Sequence, residues 1–307
     1  MSFSYLIRRL GQLLPTAFWV ITLVFFLIHF VPGDPVDLML GDEASEEQKV
    51  QLRERLGLDL PVVTQYKNYI LNLASGDLGT DIFTQKKVVT VLLEKVPNTF
   101  LLAIFSLFLA CLISFPLGIL SALRRGQGWD VLAMFFSLLG MSMPNFWLGP
   151  LLIILFSVTL GLTPISGFES ASSILLPGLT MGASLSAFLT RMVRTSTLDV
   201  LGKEYITVAH AKGLSKHVVI WKHALRNAMI PIVTILGTQF GALMAGAVIT
   251  ESIFDWPGLG LEFFRAFQQR NYPVIQGCVL FIALSTMAIN FLIDLLYKVI
   301  DPRVELN

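Results

Sequence analysis

Three histidines, His210, His217 and His223, stand close together in the sequence. A metal site on one helix needs ligands at i, i+3 or i+4, as in His-Glu-x-x-His. These histidines are seven and six residues apart, so they read as structural side chains and no metal site is expected. Gly202-Lys203 lacks the upstream glycine loop and the hydroxyl with which a P-loop cradles phosphates. No Gly-x-Ser-x-Gly occurs, so a serine nucleophile on a strained elbow is excluded. The Gly182-Ala183-Ser184 run reads instead as a small-residue helix contact. The chain is therefore expected to be no enzyme and to carry no cofactor. Small residues do recur with helical spacing. Gly237, Gly241 and Ala245 repeat every four residues, and Thr180, Gly182, Ala183, Ser184 and Ser186 cluster upstream. Such faces let helices approach closely. They can equally line a polar pathway.

The elements holding these residues are set by composition. Hydrophobic residues make up 54% of the 307 and charged residues 14%, against about 25% charged in soluble proteins. Mean hydropathy is +0.72. Disorder is excluded, because it requires low hydrophobicity and high charge. Two cysteines, Cys111 and Cys278, both in apolar runs, exclude a disulfide scaffold. A formal net charge of +1 provides no electrostatic case for nucleic acid. A polytopic, all-α membrane protein remains.

A helix needs about 20 apolar residues to cross about 30 Å of hydrocarbon. Six runs lack Asp, Glu, Lys and Arg: 10–33, 96–123, 131–168, 170–190, 227–250 and 271–293. The third contains Pro144-Asn145 and could be one crossing or two. Arg8-Arg9, Arg124-Arg125 and the segment 191–226, with seven Lys/Arg, are the short basic loops. Such loops stay cytoplasmic. One kinked crossing puts all three on the same side, with a short outer loop at 161–173. The first run is too long for a signal peptide's apolar region and lacks a small-x-small cleavage site. Six transmembrane helices follow, at about 10–31, 97–123, 131–160, 175–196, 228–250 and 274–297, with both termini inside. His29, near the outer end of the first, is expected to make interfacial hydrogen bonds.

Residues 34–95 form a long extracytoplasmic segment between helices 1 and 2, with eleven acids and seven bases. Ser45-Glu46-Glu47-Gln48 has the spacing of a capping box, predicting a short helix that stops at Gly57. After Pro61, Tyr66, Tyr69, Ile70 and Leu73 share a helical face, to be covered by the membrane domain, by lipid headgroups or by an external partner. On the inner side, residues 204–212 read as a short helix stopped at Gly213. Ser215 is placed to cap a second helix, with Val218, Trp221 and Leu225 on one face. This helix–glycine–helix is either a compact docking element or a basic loop lying on anionic headgroups. In the outer segment 251–273, Trp256-Pro257-Gly258-Leu259-Gly260 marks a tight turn. Phe254, Trp256, Phe263 and Phe264 around it suit an interfacial aromatic belt or a re-entrant element.

The inner segment resembles a known family. Glu204-Tyr205, Ala209, Ala211-Lys212-Gly213, His223, Leu225, Asn227 and Pro231 are similar to the coupling loop of binding-protein-dependent ABC importer permeases. More narrowly, they resemble the first permease subunit of the dipeptide/oligopeptide/nickel group. The likeness covers the whole chain. It takes in Arg8-Arg9 with Pro15-Thr16, Pro32-Gly33-Asp34-Pro35, Leu56-Gly57-Leu58-Asp59 and Gly76-Asp77-Leu78-Gly79. Ser142-Met143-Pro144, residues 251–260, Asn271-Tyr272-Pro273-Val274-Ile275-Gln276 and Asp301-Pro302-Arg303 follow in order. The general ABC importer pattern begins Glu-Ala-Ala six residues before the glycine. Here those positions are Thr207, Val208 and Ala209, and Arg226 replaces a downstream proline. No role is carried over for the missing glutamate.

The resemblance implies a type I importer permease fold. It divides the chain into 1–95 (first helix and outer segment), 96–298 (permease domain) and a cytoplasmic tail, 299–307. It implies a bacterial inner-membrane location and four kinds of partner: a second homologous permease, two ATPase subunits, an extracytoplasmic substrate-binding protein and membrane lipid. ATP and Mg would sit on the ATPases, whose closure would rotate the helix pair about Gly213 and switch the spans from inward-open to outward-open. Peptide import is the implied activity. Nickel, another metal chelate or glutathione are the alternatives, nickel through the stretch Ser142-Met143-Pro144-Asn145-Phe146-Trp147. A stand-alone secondary transporter would show paired intramembrane charges and an internal repeat. The sequence shows neither.

Overall fold

The computed structural model describes residues 3–30, 36 and 45–300. Among these the regular elements are helices. In chain order they are α1 (Phe3–Phe30), α2 (Glu46–Leu56), α3 (Val62–Ala74), α4 (Val88–Leu123), α5 (Gly128–Ser142) and α6 (Asn145–Leu152). They continue with α7 (Leu175–Leu201), α8 (Glu204–Ala211), α9 (Lys216–Val218), α10 (Leu225–Ile253), α11 (Leu259–Gln268) and α12 (Tyr272–Ile300). Wider π turns follow α6 and α9, at Ile153–Thr159 and Val219–Ala224. The motifs at Pro32–Pro35 and Asp301–Arg303, the end of the 299–307 tail and the His29 side chain lie outside the described residues.

Three helical stretches, Val88–Leu123, Ala171–Leu201 and Tyr272–Ile293, are long and apolar enough to cross a membrane alone. Two bent pairs qualify together: Gly128–Ser142 with Asn145–Thr159, bent by 105°, and Lys216–Met229 with Pro231–Ala245, bent by 46°. The first bend has a local cause. Pro144 disfavours helical backbone at the preceding residue, and Met143 is extended, with φ −87° and ψ 115°. The second falls at Pro231, which lacks the N–H a helix interior requires. In α1 the apolar stretch is Leu13–Phe26. Phe108, Leu112, Phe135, Phe136 and Ile154 are exposed, as apolar side chains facing lipid tails are.

The chain divides into two compact units, 1–98 with 257–287, and 99–256 with 288–307. In the first, α2 starts from the expected capping box. Gln48 N donates to Ser45 Oγ at 3.3 Å, and Ser45 N donates to Gln48 Oε1 at 3.1 Å. The helix ends at Gly57, in the left-handed region at φ +66°. The tyrosine face of α3 is covered by α1. The Phe25 ring lies 5.1 Å from Tyr66 and 5.5 Å from Tyr69, and the Tyr66 hydroxyl pairs with Thr22 Oγ1 at 2.7 Å. Burial, with Tyr66 beside it, pushes the Tyr69 phenol up to about 12. A second cluster joins Val88 and Leu92 of α4 to Leu259 and Ala266 of α11 and Val274 and Cys278 of α12.

The second unit is built on α4, α7 and α10. Leu102, Ala103 and Ala110 pack with Met181, Leu185 and Leu189, and with Leu243, Met244, Ala247 and Trp256. Lipid removes most of the hydrophobic gain between spans, so close packing must hold them together. Glycines allow it. A Cβ on Gly182 would lie 2.9 Å from the Ser106 carbonyl, and one on Gly178 would lie 2.5 Å from the Phe105 ring. The aromatic turn after α10 departs from a membrane belt. Phe254 and Trp256 are buried, and Trp256 packs edge-on against Phe168 at 4.7 Å. The cause is the turn itself: Asp255 adopts φ +47°, and Trp256 N donates back to the Glu251 carbonyl at 2.9 Å.

Candidate coupling site

The helix–glycine–helix segment folds around its own small core. Ile206 and Ala209 of α8 pack on Val219 and Ala224, with Val200 and Leu201 alongside. Lys203 is extended, with φ −80° and ψ 146°, so α8 begins at Glu204. It ends at Lys212, and Gly213 takes φ +76°. That conformation is strained for any residue with a Cβ. Gly213 N donates to the His210 carbonyl at 2.9 Å and Leu214 N to the Ala209 carbonyl at 3.4 Å. The chain can then turn sharply into α9.

Two expectations change here. Ser215 occupies the cap position, with φ −63° and ψ 148°, but its hydroxyl makes no capping bond; its carbonyl accepts from Val219 N at 3.1 Å. The helix it starts is α-helical for three residues and then widens into the π turn. Widening changes the periodicity. Val219, Ala224 and Leu225 are buried, while Trp221 is 58% exposed. Val218, Trp221 and Leu225 therefore do not share one face, because that grouping assumed 3.6 residues per turn.

Two contacts tie the segment to the spans. Asn227 Nδ2 donates to the Tyr205 hydroxyl at 2.9 Å and to the His223 carbonyl at 3.0 Å. Ser196 Oγ donates to the Ala228 carbonyl at 2.7 Å, joining α7 to α10. Tyr205 and Asn227 thus belong to one closure, with Leu225 buried beneath it. Glu204, Ala211, Lys212 and Gly213 lie on the surface, and His223 is half-buried. Tyr205, Val208, Leu214 and Trp221 are exposed apolar side chains in a segment that also carries Lys203, Lys212, Lys216 and Lys222. His210 Nδ1 lies 2.9 Å from its own helix's Ile206 carbonyl. Among the described residues no group of three or more His, Cys, Asp or Glu could hold a metal.

The small-residue faces are placed differently. Ser184 Oγ donates to Asn145 Oδ1 at 3.1 Å. Thr180, Ser186 and Thr190 hydroxyls donate to carbonyls of their own helix, those of Leu176, Ala183 and Ser186. A Cβ on Gly237 would lie 2.4 Å from Ile293 Cγ1, so a glycine is what lets α10 meet that side chain of α12. Gly241 is buried and Ala245 exposed.

Two buried polar groups escaped the sequence reading. Thr99 Oγ1 donates to Glu251 Oε1 at 2.7 Å, and Glu251 is fully buried. Asp130, 5% exposed, receives Arg194 Nε at 2.7 Å and Nη2 at 2.8 Å. The only signal was a charge at the edge of an apolar run. It names no partner across 64 residues.

Comparison with known proteins fits this arrangement. Residues 114–306 match the family "Binding-protein-dependent transport system inner membrane component", and residues 2–103 match its N-terminal companion. The chain is 39% identical to the dipeptide transport system permease protein DppB of Escherichia coli K12, over 98% of both chains. It is 41% identical to the glutathione transport system permease protein GsiC of the same strain, over 98% of this chain and 99% of that one. Among solved structures, a chain of the inward facing MetNI methionine ABC transporter is similar with a TM-score of 0.59. Identity there is 19%, over 69% of this chain and 97% of that chain; at that level the likeness is one of fold. From residue 2 to residue 306, then, the chain belongs to the binding-protein-dependent transport system inner membrane components, and is a multi-pass permease subunit with the type I ABC importer fold.

Proposed function

We propose that the chain forms half of the translocation pore of an ATP-driven importer of di- and oligopeptides. The observation that carries this is the 39% identity, along nearly the whole chain, to a dipeptide permease. A second homologous permease supplies the other half of the pore. Two ATPase subunits hold ATP and Mg, and an extracytoplasmic binding protein delivers the solute. This chain catalyses no reaction itself. It sits in the bacterial inner membrane with six spans and both termini in the cytoplasm.

The segment from Glu204 to Asn227 is the seat for one ATPase. Its apolar side chains Tyr205, Val208, Leu214 and Trp221 are exposed, in a segment too charged to be a lipid-facing span. Movement of the ATPases pulls on α8. The Tyr205–Asn227 and Ser196–Ala228 bonds pass that movement to α7 and α10. Glutathione is the second reading for the solute, since GsiC is 41% identical. Nickel rests on the Ser142–Trp147 stretch alone.

A tagged copy purified from native membranes in mild detergent tests the assembly. Recovery of a second permease and ATPases is the expected result. Recovery of an intact, active protein alone would sink the reading in favour of a secondary transporter. The binding protein that accompanies the complex is then titrated with a dipeptide and with glutathione to decide the solute.

A further inference from the structure

The Asp130–Arg194 pair is more than an isolated surface contact. Asp130 lies in the first turn of α5, and its carboxylate accepts from four donors on three elements. Arg194 of α7 supplies Nε at 2.7 Å and Nη2 at 2.8 Å. Ser121 Oγ, at the end of α4, donates to Oδ1. Gly126 N, in the α4–α5 turn, donates to Oδ2 at 2.8 Å. A two-pronged arginine–carboxylate pair fixes orientation as well as distance. Close packing extends the tie. A Cβ on Gly118 of α4 would lie 2.7 Å from Val193 Cβ and 2.8 Å from the Thr190 carbonyl, and one on Gly140 of α5 would lie 3.0 Å from Ala187 Cβ. From Arg194 the helix α7 runs unbroken to Leu201, three residues before α8 begins.

We propose that Asp130 and Arg194 are positioning residues, a clasp that makes the α4–α5 turn and the end of α7 move as one body with the coupling segment. The proposal rests on the coupling role assigned above to residues 204–227. Without the clasp, a pull on α8 would bend the end of α7 locally and leave α4 and α5 behind. ATP would then be hydrolysed without transport.

The test uses the whole transporter, reconstituted in proteoliposomes with its ATPases and binding protein. Spin labels at Trp129→Cys and Asp199→Cys, with Cys111 and Cys278 replaced by alanine, measure the distance from the α4–α5 turn to the end of α7. Both labelled positions are exposed. One distance is expected in the nucleotide-free and vanadate-trapped states of the otherwise unaltered chain. Asp130→Asn and Arg194→Lys should broaden or shift it on trapping. Uptake of a labelled dipeptide per ATP hydrolysed should fall about five- to tenfold, within the usual range of coupling energies. A merely structural role would lower uptake and hydrolysis together and leave that ratio unchanged.

A label distance that changes on trapping with the pair intact overturns the proposal. So does Arg194→Lys, the milder variant, if uptake and hydrolysis fall in proportion or not at all. Failure of the unaltered chain to assemble with ATPases overturns the coupling reading and the clasp with it, before any variant is compared.

Discussion

Asp81 shows how one side chain can hold the loop between α3 and α4. It is 5% exposed. Its carboxylate accepts from Thr84 Oγ1 at 2.6 Å, Phe83 N at 2.9 Å and Asn271 Nδ2 at 2.6 Å. Burial alone would raise its pKa, but the bonds from Thr84, the Phe83 amide and Asn271 outweigh it and leave the group below its ordinary 3.8. A depressed carboxylate stabilises the fold fully above its unfolded value, and that contribution fades as pH falls through the lower folded value. The turn around Lys86-Lys87 should therefore become sensitive to protease as pH drops below about 4. Asp81→Asn should flatten that dependence. Asp81→Ala should cost the first unit about 2–3 kcal/mol, the scale of buried hydrogen bonds to a charged group. Thermal unfolding near neutral pH, compared between the two variants, checks the sign. If Asp81→Ala unfolds where the parent does, the loop is held by other contacts.

Within the elements, two glycines make opposite demands. Gly213 needs backbone freedom, because its φ is +76°. Proline fixes φ near −65° and removes the N–H that here reaches the His210 carbonyl. Gly213→Pro should abolish ATPase-coupled uptake while the chain still inserts, as measured by uptake beside the amount of protein in the membrane. Normal uptake by a properly inserted variant would remove this segment from the coupling path. Gly237 needs space instead. Gly237→Val drives a Cβ to 2.4 Å from Ile293 Cγ1, and overpacking of this kind costs about 1–3 kcal/mol. Adding Ile293→Ala should return part of the loss in thermal stability. The same elements show what could be read from sequence. The capping box at Ser45, the stop at Gly57 and the turn at Gly213 were legible because each is fixed by neighbours in the chain. The widened turn at 219–224 was not, since no residue type announces it, and it carried Trp221 outward. Trp256 looked interfacial by composition but is buried, because a left-handed Asp255 folds it inward. Asp130 with Arg194, and Thr99 with Glu251, meet only after the helices pack.

Across the whole molecule, the number of crossings turns on the bent pair in the third apolar run. Gly128–Ser142 has 15 residues, which is about 22 Å at 1.5 Å per residue. That falls short of the roughly 30 Å of hydrocarbon. Neither leg of the pair is longer, so two crossings would leave helix ends and their unpaired carbonyls in lipid. Two such legs at 105° are roughly 27 Å from end to end, close to one full crossing. One crossing also keeps Arg124-Arg125 on the same side as the basic segment 191–226, as the inside excess of positive charge requires. Single cysteines at Arg125, Glu169, Lys212 and Gln269, all exposed, separate the arrangements when Cys111 and Cys278 are replaced. With one crossing, a membrane-impermeant thiol reagent added to intact cells labels Glu169→Cys and Gln269→Cys. It reaches Arg125→Cys and Lys212→Cys only after permeabilisation. A re-entrant loop or a double crossing would leave Glu169→Cys on the same side as Arg125→Cys and put Lys212→Cys opposite. In either case the coupling segment would face away from the Arg124-Arg125 turn. The ATPase seat and the Asp130–Arg194 clasp would then both be lost as readings, because a segment on the outer side has no ATPase to meet.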